Sequence, residues 1–265
     1  MTLEEIPLTG GNVNSNVVRI GNTVRRAMTK VSTTVHQLLL HLEAKGFVGA
    51  PRFLGIDEQQ REILSFIEGE TTFSEELWQT DAPLVAAAQL LKNYHDATLD
   101  FPQKDGLVWG ITSPDPARHE VICHNDFAPY NFIFQAQSPY AVIDFDLVGP
   151  GPRLRDVAYA AYWLTPLSFH RADLLPFTEA DVKNDSRRLH LFCETYGIRA
   201  SEALFDMVYE VLCFMGDKTK MEEILGDEIA AKLEREGHVK HWQAEAQAFL
   251  ENRNRFAKNL SQPDQ

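Results

Sequence analysis

Short β-rich runs dominate the first seventy positions, and helical periodicity takes over after them. "NVVRIG" and "TVRRAM" read as two strands joined at Gly21-Asn22, a pair suited to a tight hairpin turn. "TTVHQLLLHLEAKG" puts apolar residues at Val35, Leu38, Leu39 and Leu42, the spacing of one helix face, and Gly46 offers a stop. "PRFLGID" and "REILSFIEG" read as two further strands. From about residue 81 the character changes: "APLVAAAQLLKNYHDAT" predicts a strong helix, residues 121–149 predict strand, loop and strand, and from Arg187 onward amphipathic helices predominate. The expectation is an α/β (α+β) chain in two lobes. Residues 1–68 form a small β-rich lobe and residues 69–265 a larger, mostly helical one, with a ligand cleft between them.

Composition narrows the partners. The formal charge of −13 argues against nucleic acid or an anionic membrane as a main partner. A cationic substrate would suit that charge, but acidic totals mainly keep proteins soluble. No apolar run approaches the roughly 20 residues that span a bilayer. The N-terminus, "MTLEEIPLTGG", lacks the basic segment and apolar core of a signal peptide. Three scattered cysteines, Cys123, Cys193 and Cys213, suit reduced thiols and a cytoplasmic protein rather than a disulfide frame. Trp163, Trp242 and the late aromatics read as helix-face core, and the acidic residues of 220–238 as a solvated face.

The chemistry concentrates in "VICHNDFAPYNFIF" and "YAVIDFDLVG". Asp126 and Asn131 stand five apart beyond an apolar strand start, with Pro129 enforcing an irregular loop. Asp144 ends an apolar strand. An amide oxygen and a carboxylate are hard ligands suited to Mg²⁺. Asp126 could accept a proton from an attacking hydroxyl. A base, a metal site and a phosphate cradle are what phosphoryl transfer requires. The plain alternative is loop capping and turn-making, which Asp and Asn often do.

"HNDFAPYN" resembles the H-G-D-x-x-x-x-N catalytic loop of the aminoglycoside phosphotransferase and choline kinase families, relatives of the protein kinases. "IDFD" resembles their metal-binding strand end, and "GPRLRDVAYA" is similar to the segment that follows it. The chain is also similar to the trifolitoxin-immunity-like bacterial branch. The resemblance implies a protein-kinase-like bilobal fold and transfer of a nucleotide γ-phosphate, from ATP or GTP with Mg²⁺, to a small-molecule hydroxyl. It implies Asp126 as catalytic base and Asn131 and Asp144 as metal ligands. His124 would brace the metal-binding segment and Asp156 would hold the catalytic loop. Asp146 would be a metal or supporting residue, or an exposed turn carboxylate. It further implies that the Gly10 and Gly11 backbone lies over the phosphates, where an ordinary hairpin turn would also use those glycines. The Ser65 and Ile67 backbone would meet the adenine edge, in a stretch that also reads as a plain buried strand.

Two departures from the family pattern stand out. The phosphate-binding basic residue falls on "TVRRAM", where alternation lets only one of Arg25 and Arg26 face the cleft; position points to Arg25. The helix Glu that should pair with it falls at Val35, next to His36, so the usual ion pair is expected to be missing. Asn125 replaces the usual Gly of the loop, a mild change because Asn tolerates left-handed angles. The missing Glu keeps open a rival from another class, a non-catalytic kinase-like immunity protein that sequesters a toxin or small ligand.

Overall fold

The computed structural model describes residues 4–8, 17–73, 76–165, 167–168 and 179–260. The expectation for Gly10 and Gly11 lies outside them. The N-terminal part is a five-stranded antiparallel sheet. Strands β1 (Ile6–Pro7), β2 (Val18–Ile20) and β3 (Thr23–Ala27) precede helix α1 (Ser32–Ala44), and β4 (Phe53–Ile56) and β5 (Arg61–Ser65) follow it, in the sheet order β1-β2-β3-β5-β4. The predicted hairpin joins β2 to β3, with Gly21 at φ +58° in the turn. The register sets Arg26 of β3 directly opposite Glu62 of β5, and Arg25 opposite Ile63.

Helix α1 forms where its apolar stripe predicts, with Val35, Leu38, Leu39 and Leu42 all buried. It stops because Gly46 turns left-handed at φ +73°, which lets Phe47 N–H reach back to the Leu42 carbonyl at 2.9 Å.

Helices carry the rest of the chain. After α2 (Glu76–Gln79) comes α3 (Asp81–Thr98), which buries Leu84, Ala87, Ala88, Leu91, Tyr94, His95 and Thr98 on one stripe. Two small two-stranded sheets then position the loops of interest. Strand β6 (Val121–Cys123) pairs with β9 (Gly149–Gly151), and β7 (Phe132–Gln135) pairs with β8 (Ser138–Val142). Helices α4 (Arg153–Leu164), α5 (Glu179–Tyr196), α6 (Glu202–Met215), α7 (Lys218–Leu225), α8 (Asp227–Arg235) and α9 (His238–Leu260) complete the chain. The helical region therefore starts earlier than Arg187, at Arg153, because "RLRDVAYAAYWL" buries most of its length.

Gly69 joins the two parts at φ +157°, where an added Cβ would lie 2.6 Å from the Phe134 carbonyl oxygen. Only a glycine fits so close to that backbone. Glu70 and Phe134 then exchange backbone hydrogen bonds of 3.0 and 2.8 Å, fastening the connection to β7.

Candidate active site

The loop after β6 is held from beneath by one carboxylate. Asp156, fully buried on α4, accepts the His124 N–H at 2.6 Å and the Asn125 N–H at 2.8 Å, one on each oxygen. His95 of α3 places Nε2 3.0 Å from the same carboxylate, and its Nδ1 lies 2.6 Å from the Tyr196 hydroxyl. Burial alone would raise the Asp156 carboxyl. The His95 contact, the neighbouring His124 ring and the backbone N–H outweigh it and hold it below the ordinary range. His95, Cys123 and Asp156 bring potential donor atoms within 4.8 Å of one another. Both Asp156 oxygens are already spent on backbone and His95, so this cluster is a framework for the loop.

Asn125 takes the left-handed angle expected of it, φ +64°. Its amide donates to the carbonyls of Leu147 (2.8 Å) and Ile111 (3.2 Å), and its oxygen accepts from Arg155 Nε at 2.7 Å. His124 is buried among Tyr94, Phe127 and Phe145, and burial pushes its pKa down to about 4. The ring is neutral at neutral pH and packs edge-on under the loop.

The structure brings Asp126 and Asn131 together. Asn131 Nδ2 donates to Asp126 Oδ2 at 2.8 Å and to the Asp126 carbonyl at 3.0 Å, which turns its own amide oxygen away from Asp126. The Tyr130 hydroxyl donates to Asp126 Oδ1 at 2.5 Å and lies 2.9 Å from the Tyr159 hydroxyl. Burial raises the Asp126 carboxyl, opposed by the hydrogen bonds from Tyr130, Asn131 and Tyr159. Asp144 reaches the same region because Ile143 N–H bonds the Asn131 carbonyl at 2.9 Å, stitching the two loops together. Asp144 itself is left-handed at φ +65°, an angle rare outside glycine and the short polar residues. Its side chain keeps 45% exposure, yet shelter in the cleft and then the Asp146 carboxylate push it up to about 6, against the lowering charge of Arg26.

On the sheet side the structure corrects two expectations. Arg26, not Arg25, faces the cleft. Its Nη2 donates to Asp146 Oδ1 at 2.6 Å, its Nη1 donates to Asp146 Oδ2 at 3.2 Å, and Nη1 lies 3.6 Å from Asp144 Oδ1. Arg25 instead bonds Thr23 Oγ1 at 2.6 Å and lies 3.7 Å from Asp57, because neighbouring strand residues point to opposite faces. The ion pair expected to be missing is present with a different carboxylate. Arg26 Nε donates to Glu62 Oε1, and Glu62 Oε2 lies 2.6 Å from His36 Nε2. Helix α1 thus contributes a histidine and β5 the acid, while Val35 belongs to the core at 1% exposure. Asp146, left between two roles by the sequence, is the carboxylate that takes the Arg26 fork. These three carboxylates outweigh burial and keep Arg26 firmly charged.

Glu62, Tyr130 and Tyr159 escaped the sequence reading, which names His36 only as the neighbour of Val35. The signal for Glu62 lay in two charged residues, Arg26 and Glu62, each inside a short apolar strand; a cross-strand pair is the inexpensive way to bury both. At the lobe connection, Ser65 N–H is committed to the Arg52 carbonyl at 2.9 Å. Among the described residues no backbone group pairs with Ile67.

The donor set fits a hard divalent cation. Asp144, Asp146 and Asn131 offer oxygens, and one guanidinium faces the three carboxylates Glu62, Asp144 and Asp146, a deficit that a divalent cation would close.

Comparison with known proteins bears out the resemblance and the fold. Residues 108–190, which contain every motif from His124 to Asp156, match the phosphotransferase enzyme family. The trifolitoxin immunity protein of Rhizobium leguminosarum bv. trifolii is 38% identical over 152 residues, covering 56% of this chain and 57% of that protein. The match thus spans little more than half the length of that curated relative. Plasmodium vivax ethanolamine kinase superposes with a TM-score of 0.59 at 14% identity, covering 96% of this chain and 84% of that one. The streptomycin–ATP–APH(2")-IIa ternary complex superposes with a TM-score of 0.52 at 15% identity, covering 93% of each chain. At such identities the structures establish the fold alone: it is kinase-like, with a β-sheet N-terminal region and a helical C-terminal part.

Proposed function

We propose that this chain is a small-molecule kinase that moves the γ-phosphate of ATP or GTP to a hydroxyl, with Asp126 as the base. The observation that carries the reading is the convergence of Asp126, Asn131, Asp144 and Arg26 on one cleft from three separate segments: the loop after β6, the end of β8 and strand β3. Residues 1–68 would form the nucleotide lobe and 69–265 the catalytic and acceptor lobe, hinged at Gly69. Ile67 offers its backbone to the adenine edge, whereas Ser65 has already spent its N–H on the sheet.

In this reading the acceptor hydroxyl takes the place of the Tyr130 hydroxyl on Asp126 Oδ1 and gives its proton to that oxygen as its own oxygen bonds phosphorus. The bond from phosphorus to the nucleotide's bridging oxygen breaks, and the diphosphate leaves. A raised carboxyl is suited to this task, because a base whose pKa nears the working pH both ionises and takes a proton readily. Magnesium held by Asn131 and Asp144 would neutralise the phosphate oxygens and tie them to the protein. Arg26 presents a planar fork suited to phosphate. No described helix is long and apolar enough to cross a membrane. The three free thiols favour a cytoplasmic setting.

The name of that immunity relative favours a second reading, a kinase-like immunity protein that binds a toxin or small ligand without catalysis. The two readings separate in a thermal-shift series with ATP and GTP, each with Mg²⁺ and with EDTA, followed by a nucleotide hydrolysis assay. A kinase gives a magnesium-dependent rise in melting temperature by mass action, and slow turnover. A sequestering protein gives neither.

A further inference from the structure

Arg26 joins two regions that lie 120 residues apart in the sequence. Its two edges have different fates. The Nε edge is clamped: Glu62 has no exposure, and it is gripped in turn by His36, whose ring stacks on Phe53 with 3.8 Å between centres. Removing the guanidinium from Glu62 would strand a buried carboxylate, which is costly. The Nη edge faces the cleft and holds Asp146 by two hydrogen bonds, beside Asp144. These are the carboxylates a divalent cation would use, and a guanidinium and a metal compete for the same oxygens.

We propose that Arg26 is an internal counter-ion for Asp144 and Asp146, aimed by Glu62 and His36, which yields those carboxylates to a divalent cation and turns its Nη edge to the phosphates. This rests on the metal and nucleotide reading above. The clamp makes the exchange feasible, since the guanidinium keeps Glu62 as a partner throughout. Metal alone must displace a bound cation, whereas a triphosphate offers that cation a new anion. Arg26 therefore weakens the binding of metal alone while strengthening the binding of nucleotide.

Opposite signs make the test sharp. Mn²⁺ alone, Mg²⁺-ATP and adenosine are titrated calorimetrically into the full chain, its Arg26→Gln variant and the Arg26→Gln/Glu62→Gln double variant. The double variant removes both buried charges and guards against a folding defect. The counter-ion role predicts Mn²⁺ binding about tenfold tighter in the variants, Mg²⁺-ATP binding about tenfold or more weaker, and adenosine binding unchanged. Asp144→Asn should abolish the Mn²⁺ isotherm. If Mn²⁺ binds equally well to Asp144→Asn, the metal reading falls and the proposal with it. If Mn²⁺ binding depends on Asp144 but the Arg26 variants gain nothing, or if they keep full affinity for Mg²⁺-ATP, the counter-ion role alone is overturned.

Discussion

The two halves of the cleft are built on different plans. The Asp126 loop is hung from the helical core by neutral backbone groups: Asp156 takes the N–H of two consecutive residues and is itself steadied by His95, which in turn meets Tyr196. The sheet side is a charge balance, with Arg26 suspended among Glu62, Asp144 and Asp146. A loop whose backbone is fixed by a buried anchor holds one geometry. A network of competing ions can change partners when a ligand adds charge. The first plan suits a base that must not move, and the second suits a site that must admit a metal and a polyphosphate.

The largest expected effect concerns Val35. Were the sheet side a damaged helix-carboxylate pair, Val35→Glu would repair it. Here Val35 is core at 1% exposure and Arg26 already has Glu62. The substitution should cost about 3–5 kcal/mol in urea unfolding, the scale of an unpaired buried charge, with no gain in nucleotide affinity. A stable variant with tighter ATP binding would break the contrast between the two halves.

On the loop side, Asp156→Ala orphans two buried N–H groups and His95. At 1–3 kcal/mol for each unsatisfied group, with partial relaxation, the loss should be about 3 kcal/mol. Hydrogen exchange at His124 and Asn125 should accelerate before exchange in the sheet does.

The pH dependence sharpens the same point. His124 has its pKa lowered from 6.5 to about 4 by burial, so the folded chain keeps the ring neutral while the unfolded chain protonates it below 6.5. The unfolded state then binds more protons, and stability falls as pH drops from 6.5 to 4, by about 3 kcal/mol. The loss is complete near pH 4, and above 6.5 this group contributes no slope. His124→Phe should flatten that limb in a urea series across pH 4–7; an unchanged slope would assign the acid sensitivity elsewhere.

The smallest effect belongs to Arg25. Among the described residues it bonds Thr23 and Val24 and leans on Asp57, away from the cleft. Arg25→Ala should change stability by no more than about 1 kcal/mol and leave ATP affinity within about threefold.

This contrast also explains what the sequence reveals. The loop half is legible because its parts are close in sequence: Asp126 and Asn131 are five apart, and Asp144 and Asp156 follow within one segment. The fold is legible for a related reason, since the apolar stripes of α1 and α3 set their own helices. The sheet half depends on which strand lies beside which. Arg26 meets Glu62 only through the β3–β5 register, and meets Asp146 only through packing of the sheet on the helical part. A single-residue choice of strand face separates Arg25 from Arg26, and alternation alone could not decide it. Nothing in the sequence singles out Tyr130, and only the folded loop sets its hydroxyl on Asp126.

The central claim is that Asp126 takes a proton while the rest of the cleft holds nucleotide. It is tested most directly by γ-phosphate release from Mg²⁺-ATP, measured for the wild type and Asp126→Ala alongside calorimetric ATP affinity. The account predicts slow release by the wild type, a drop of about 10²-fold or more in the variant, and unchanged affinity. Equal release by the two proteins, with ATP bound equally tightly, would contradict it.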